Sequence, residues 1–125
     1  MNRKVYLDHN ASTPVHPEVV QAMLPYWSER FGNPSSVHGF GREAREGLET
    51  AREQVAHFLR VGKEEIVFTS GGTESDNMAI KGVAMGRQRG HLITSKIEHH
   101  AVLRAVQNLE TLGFEATYLD VDGAG

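Results

Sequence analysis

The run Phe68-Thr69-Ser70-Gly71-Gly72-Thr73-Glu74-Ser75-Asp76-Asn77 places two adjacent glycines and several hydroxyls just before an apolar, helix-periodic segment. Residue types in that order suit an anion. Glycines tolerate positive φ and let a ligand approach the backbone closely. The first amides of a helix lack internal partners and point outward with the positive end of the helix dipole. Thr73 can add a hydroxyl donor. A strand, a Gly-rich turn and a helix therefore make a candidate phosphate site, with Gly72 and Thr73 as its binding residues. A competing reading has Thr73 merely capping the helix with Asp76 as a weak reciprocal partner. The local pattern leaves both open. The spacing excludes a Walker loop and a dinucleotide fingerprint.

A second polar run, Ser95-Lys96-Ile97-Glu98-His99-His100, follows the next strand-like segment. Ligands of open α/β sheets bind beyond the carboxyl ends of strands, and both runs fall at that edge. An imidazole there, with His99 the candidate, could lie over a flat heteroaromatic ring and move protons near neutral pH. The plainer alternative is that His99 and His100 are solvated residues at a helix start. Lys96 invites a Schiff-base reading, but imine chemistry favours a desolvated or cation-crowded lysine. A wet loop beside Glu98 keeps the ammonium charged, so Lys96 reads as solvated. Adjacent histidines point in different directions, and His9, His16, His38, His57 and His91 are scattered without ligand spacing. No metal site is expected.

These runs need elements to position them. Lys4–Asp8 reads as an extended piece before a turn at Asn10–Pro14. Pro17 suits the first turn of a helix whose apolar side is Val19, Val20, Met23, Leu24 and Trp27. Phe31–Gly41 is an ordered loop. From Arg42 to Leu59, Ala44, Leu48, Ala51, Val55, Phe58 and Leu59 recur at helical steps. Glu65–Thr69 reads as a strand, and Thr73 to about Arg87 as a helix with Met78, Ala79, Val83 and Ala84 inward. His91–Thr94 reads as a second strand, and His99–Leu112 as a helix with Val102, Leu103, Val106 and Leu109 inward. Gly113 ends that helix, and Phe114–Val121 is a third strand. Alternating strands and helices with short links imply an α/β fold with parallel strands and crossover helices. A parallel sheet is normally covered on both faces. Three strands with an unpartnered arm therefore read as part of a larger sheet.

The chain has 125 residues, enough for one domain, and a net charge of −3 with both signs mixed along its length. No basic stripe is available for nucleic acid. No apolar run approaches a membrane span, and Met1-Asn2-Arg3-Lys4 leads into no leader-like segment, so a cytoplasmic address is expected. Cysteine is absent. Disulfides, thiolate metal sites and cysteine nucleophiles are thereby excluded within this chain.

Four segments, in order, resemble one family. They are Tyr6-Leu7-Asp8-His9-Asn10-Ala11-Ser12-Thr13-Pro14 and Phe31-Gly32-Asn33-Pro34-Ser35-Ser36 with His38, Gly41 and Arg42. Ile66–Asn77 and Ser95-Lys96-Ile97-Glu98-His99 complete the set. Together they resemble the cysteine desulfurases, fold-type I pyridoxal-phosphate enzymes grouped with the class V aminotransferases. Small departures are Gly72 where many members have alanine and Ser12 where many have threonine.

The resemblance implies part of the three-layer α/β/α large domain. Residues 1–14 would be an arm that belongs with the small domain, and 15–125 the N-terminal part of the cofactor domain. It implies pyridoxal 5′-phosphate as cofactor, with Gly72 and Thr73 on its phosphate and His99 on its ring, assisting proton transfer. The family chain is roughly three times longer, in keeping with two domains. The absent part would carry the Schiff-base lysine, the aspartate facing the pyridine nitrogen and the persulfide cysteine. This chain alone is then expected to be inactive. L-cysteine would be the full enzyme's substrate, a homodimer its assembly, and a sulfur-acceptor or scaffold protein its partner, serving iron–sulfur clusters or thiolation. Two alternatives stand beside this. One is a truncated or split-gene product that only partners a complementary chain. The other is a piece of another class V member such as a selenocysteine lyase.

Overall fold

The computed structural model describes residues 4–125, so Met1-Asn2-Arg3 of the leader reading lie outside the description. The chain divides into two compact units, the first ending at Ile66 and the second spanning Val67–Gly125.

In the first unit the arm closes on itself. The Tyr6 hydroxyl lies 2.9 Å from the Asp8 carbonyl, 3.1 Å from the Ser12 carbonyl and 2.8 Å from Ser12 Oγ. The predicted first helix is two, α1 (Pro17–Met23) and α2 (Pro25–Ser28). Pro25 is the reason: it has no amide to continue the ladder, and it starts the second piece instead. Helix α3 (Gly39–Leu59) begins three residues before its predicted start and is capped by His38 Nδ1, which accepts from the Gly41 amide. The loop before it is seated by backbone proximity. A Cβ on Gly41 would lie 2.3 Å from the Ser36 carbonyl oxygen, and one on Gly32 would lie 2.1 Å from that of Phe40. Arg45 Nε adds a bond to the Pro34 carbonyl at 2.7 Å, and the Phe31 and Phe40 rings stack at 5.7 Å. Of the face predicted for α3, Ala44 is buried and Leu48 and Ala51 are half-buried, while Val55, Phe58 and Leu59 are exposed.

The second unit carries the candidate site. Helix α4 (Gly72–Arg87) leads through a three-residue link to β1 (His91–Ser95), then α5 (His100–Thr111), then β2 (Glu115–Leu119). The two strands pair in parallel, His91 opposite Glu115 through Ser95 opposite Leu119. Gly113, at φ 92°, makes the turn between α5 and β2, a conformation that glycine alone adopts readily. Helix α5 packs against both α4 and β2. Its buried stripe is Ala101, Ala105, Val106 and Leu109, and Leu109 is fully buried. Val102 and Leu103, predicted inward, are half-buried. From α4 only Ala84 is buried, whereas Met78 and Val83 are 49% and 61% exposed. Ala79, predicted inward, is exposed, and Ile80 is half-buried.

The predicted strand at Glu65–Thr69 is corrected. Lys63–Glu65 forms a 3-10 turn, and residues 66–69 are not in a ladder. A β-rich run becomes a strand only where a neighbouring strand accepts its amides. No strand is formed there, and the sheet among the described residues has two strands rather than three.

Candidate phosphate site

The turn before α4 is held by its own side chains. Ser70 donates through its amide (2.6 Å) and its hydroxyl (2.7 Å) to the same oxygen of Glu74, Oε2. Thr69 Oγ1 donates to the Gly71 carbonyl at 3.2 Å and lies 2.6 Å from Ser75 Oγ. With the Thr69 proton used on Gly71, the Ser75 hydroxyl donates to Thr69 in that pair. Asn77 Nδ2 donates to the Thr73 carbonyl at 2.9 Å.

These braces leave the next donors unused. The amides of Gly71, Gly72 and Thr73 and the Thr73 hydroxyl form no hydrogen bond with any described residue. They open the sixteen-residue helix α4, where unpaired amides and the helix dipole favour an anion. Beyond the adjoining backbone, no atom of the described residues lies within 4 Å of where a Cβ of Gly71 or Gly72 would stand. A phosphate group therefore fits: the donors are unpaired, and the backbone at the two glycines is bare. Two parts of the sequence reading change. Gly71 has φ 161°, extended backbone open to any residue, so its value is the bare surface rather than a special dihedral. Thr73 is not the cap; Gly71 holds that position without a side-chain bond.

Glu74 is exposed, yet its carboxyl is held below the ordinary glutamate range, first by the Ser70 amide and then by the Ser70 hydroxyl. A depressed carboxyl contributes stability above its unfolded pKa and loses it as the pH falls through the folded value. The brace therefore loosens only in acid.

His99 caps α5, its Nδ1 accepting from the Ala101 amide at 3.1 Å. In the neutral ring that fixes the proton on Nε2, which has no partner among the described residues. Its ring lies 6.3 Å from that of His100, tilted by 51°. The link from α4 to β1 is three residues long, and α5 opens at His100 soon after β1 ends at Ser95. Among the described residues no hydrogen bond or ring contact joins Gly72 or Thr73 to His99. Lys96 is drawn elsewhere. Its Nζ meets Asp120 Oδ1 at 2.6 Å and its amide bonds the Leu119 carbonyl, tying the ends of β1 and β2. Glu98, expected beside Lys96, instead accepts from Ser95 Oγ at 3.0 Å. Both Lys96 and Asp120 are exposed, so this pair adds little stability.

Sequence reasoning missed the four bracing side chains, Thr69, Ser70, Glu74 and Ser75. A signal existed in the four-residue step from Ser70 to Glu74, a backward reach like that of a capping box displaced by one residue.

The class V aminotransferase family model matches residues 5–125. The chain belongs to that family. Among class V members, it is 58% identical to the cysteine desulfurase IscS of Dictyoglomus turgidum, over 100% of this chain and 32% of the relative. A solved NifS-like protein matches at TM-score 0.86 and 43% identity, over 94% of this chain and 33% of its own. The structure of SspA in complex with cysteine matches at TM-score 0.84 and 47% identity, over 91% and 33%. The chain spans about a third of the length of these relatives. Its parallel β1–α5–β2 unit is a piece of their fold-type I architecture. Among the described residues no helix is long and apolar enough to cross a membrane.

Proposed function

We propose that this chain is the N-terminal, phosphate-holding part of a pyridoxal-phosphate-dependent cysteine desulfurase, which converts L-cysteine to L-alanine and keeps the sulfur as an enzyme persulfide. The observation that carries this reading is the set of unused donors, the Gly71, Gly72 and Thr73 amides with the Thr73 hydroxyl, on a turn braced from behind. The high identity to cysteine desulfurases supports the choice of substrate.

In this reading Gly72 and Thr73 hold the cofactor phosphate. His99, fixed by its cap, offers a planar ring to the cofactor and holds a proton at Nε2. Pyridoxal phosphate, when bound, supplies the electron sink for bonds at the amino acid's Cα. Lys96 orients β1 against β2 through Asp120 and takes no covalent part. Residues 1–14 act as an arm with the small domain, and 15–125 open the cofactor domain. The whole enzyme is a cytoplasmic homodimer that passes sulfur to an acceptor or scaffold protein.

The chain contains no cysteine, hence no thiol to take sulfur. The 125-residue chain given L-cysteine and pyridoxal phosphate is expected to release no sulfide beyond the free cofactor. Mixing it with the remaining two-thirds of the D. turgidum relative is expected to restore cysteine-dependent sulfide release. Turnover by the chain alone, or none from the mixture once a complex has formed, would contradict the reading.

A further inference from the structure

We propose that Glu74 is the positioning residue of the phosphate turn, an inference that rests on the functional reading above. One carboxylate oxygen takes both donors of Ser70, its amide at 2.6 Å and its hydroxyl at 2.7 Å. Glu74 lies on the first turn of α4, so this grip joins the incoming loop to the helix it enters. Between the two anchored residues lie Gly71, Gly72 and Thr73, whose amides bond no described residue.

Two consequences follow. The grip spends the Ser70 donors internally, so a bound phosphate is received by the following three amides and not by Ser70. It also restrains a Gly-Gly segment that would otherwise lose much conformational freedom on ordering. The same carboxylate places a negative charge at the rim of an anion site. Glu74 thus stabilises the turn's shape while opposing the phosphate's charge. The two effects are separable, because a glutamine keeps an acceptor oxygen but carries no charge.

Other titratable groups near the two helix starts are Asp76 on α4 and His99 and His100 at the start of α5. None exchanges a hydrogen bond or ion pair with Glu74.

The test uses the 125-residue chain, 15N-labelled, and pyridoxine 5′-phosphate, which has the phosphate and ring but no aldehyde to react with lysines. Glu74→Ala is expected to weaken its binding on the order of tenfold, the scale of lost charge-assisted hydrogen bonds. Glu74→Gln is expected to bind at least as tightly as the parent chain. Alanine binding as tightly as the parent would overturn the brace, since it would leave Glu74 as a repelling charge only.

A ligand-free readout stands beside it. The Ser70 amide proton resonance is expected to titrate with a carboxylate midpoint below the ordinary glutamate range, and to stop titrating in Glu74→Gln. A flat Ser70 resonance, or a titration that survives in Glu74→Gln, overturns the proposal even if the ligand binds. If the parent chain fails to bind pyridoxine 5′-phosphate, the functional reading falls. The Ser70 titration still decides the role of Glu74 in the turn.

Discussion

Replacing Leu109 with alanine is expected to lower the stability of the Val67–Gly125 unit by about 2–5 kcal/mol, the usual cost of emptying a fully buried leucine site. Leu109 is the one large side chain that is fully buried among the described residues. It sits on α5, which packs on both α4 and β2. The other buried side chains of this unit, Ala84, Ala101, Ala105 and Val106, are all smaller and poorly able to fill the space it would leave. At about 0.05–0.15 kcal/mol per residue, a unit this size holds only a few kcal/mol in all. The variant is therefore expected to be largely unfolded at 25 °C. Urea denaturation followed by circular dichroism measures this, with Leu112→Ala as the control. Leu112 is 56% exposed, and its loss is expected to shift stability by less than about 1 kcal/mol. Equal midpoints for the two variants would mean that α5 is not the centre of this unit.

Gly72→Asp is expected to separate fold from function. Beyond the adjoining backbone, no atom of the described residues lies within 4 Å of the added Cβ, so the residue enters without a clash. An acidic side chain in the first turn of α4 suits the helix dipole and is expected to leave stability unchanged or raised by about 0.3–1 kcal/mol. The same carboxylate would stand where an anion is received, satisfying the free amides and repelling phosphate. Affinity for pyridoxine 5′-phosphate is expected to fall on the order of a hundredfold, from lost hydrogen bonds and added like-charge repulsion. Thermal melting and ligand titration of one preparation give both numbers. Undiminished binding in a folded variant would move the phosphate elsewhere.

Elements that satisfy themselves locally were legible in the sequence. Helix α3 has twenty-one residues of strong periodicity, and α5 pairs an apolar stripe with a glycine stop, so both lie within a few residues of their expected places. Strands β1 and β2 were legible because each finds its partner within the unit. The run at residues 65–69 has the same composition, but strand formation depends on a neighbour that residue types do not reveal. The break between α1 and α2 is readable from Pro25. Inward faces were least legible. Periodicity marks an apolar side of α4, but which of those residues are buried depends on how the helix packs, so Ala84 is buried and Val83 is not.

The site divides along the same line. A Gly-rich turn entering a helix announces free amides, because helix geometry alone leaves them unpaired. Which side chains hold the turn required coordinates, since Glu74 reaches back to Ser70 and Ser75 to Thr69 across the very residues of interest. The partner of Lys96 was misread for a related reason. Asp120 is distant in sequence and becomes its neighbour only when β1 and β2 pair.

The central claim is that this turn receives the phosphate of a pyridoxal-type cofactor. Titration of the 15N-labelled chain with pyridoxine 5′-phosphate, read at each backbone amide, tests it most directly. The expected result is saturable shifts largest at Gly71, Gly72 and Thr73, smaller ones at His99, and reversal by excess inorganic phosphate. Saturable binding whose largest shifts lie away from the start of α4, or no saturable shift at those three amides, would contradict it.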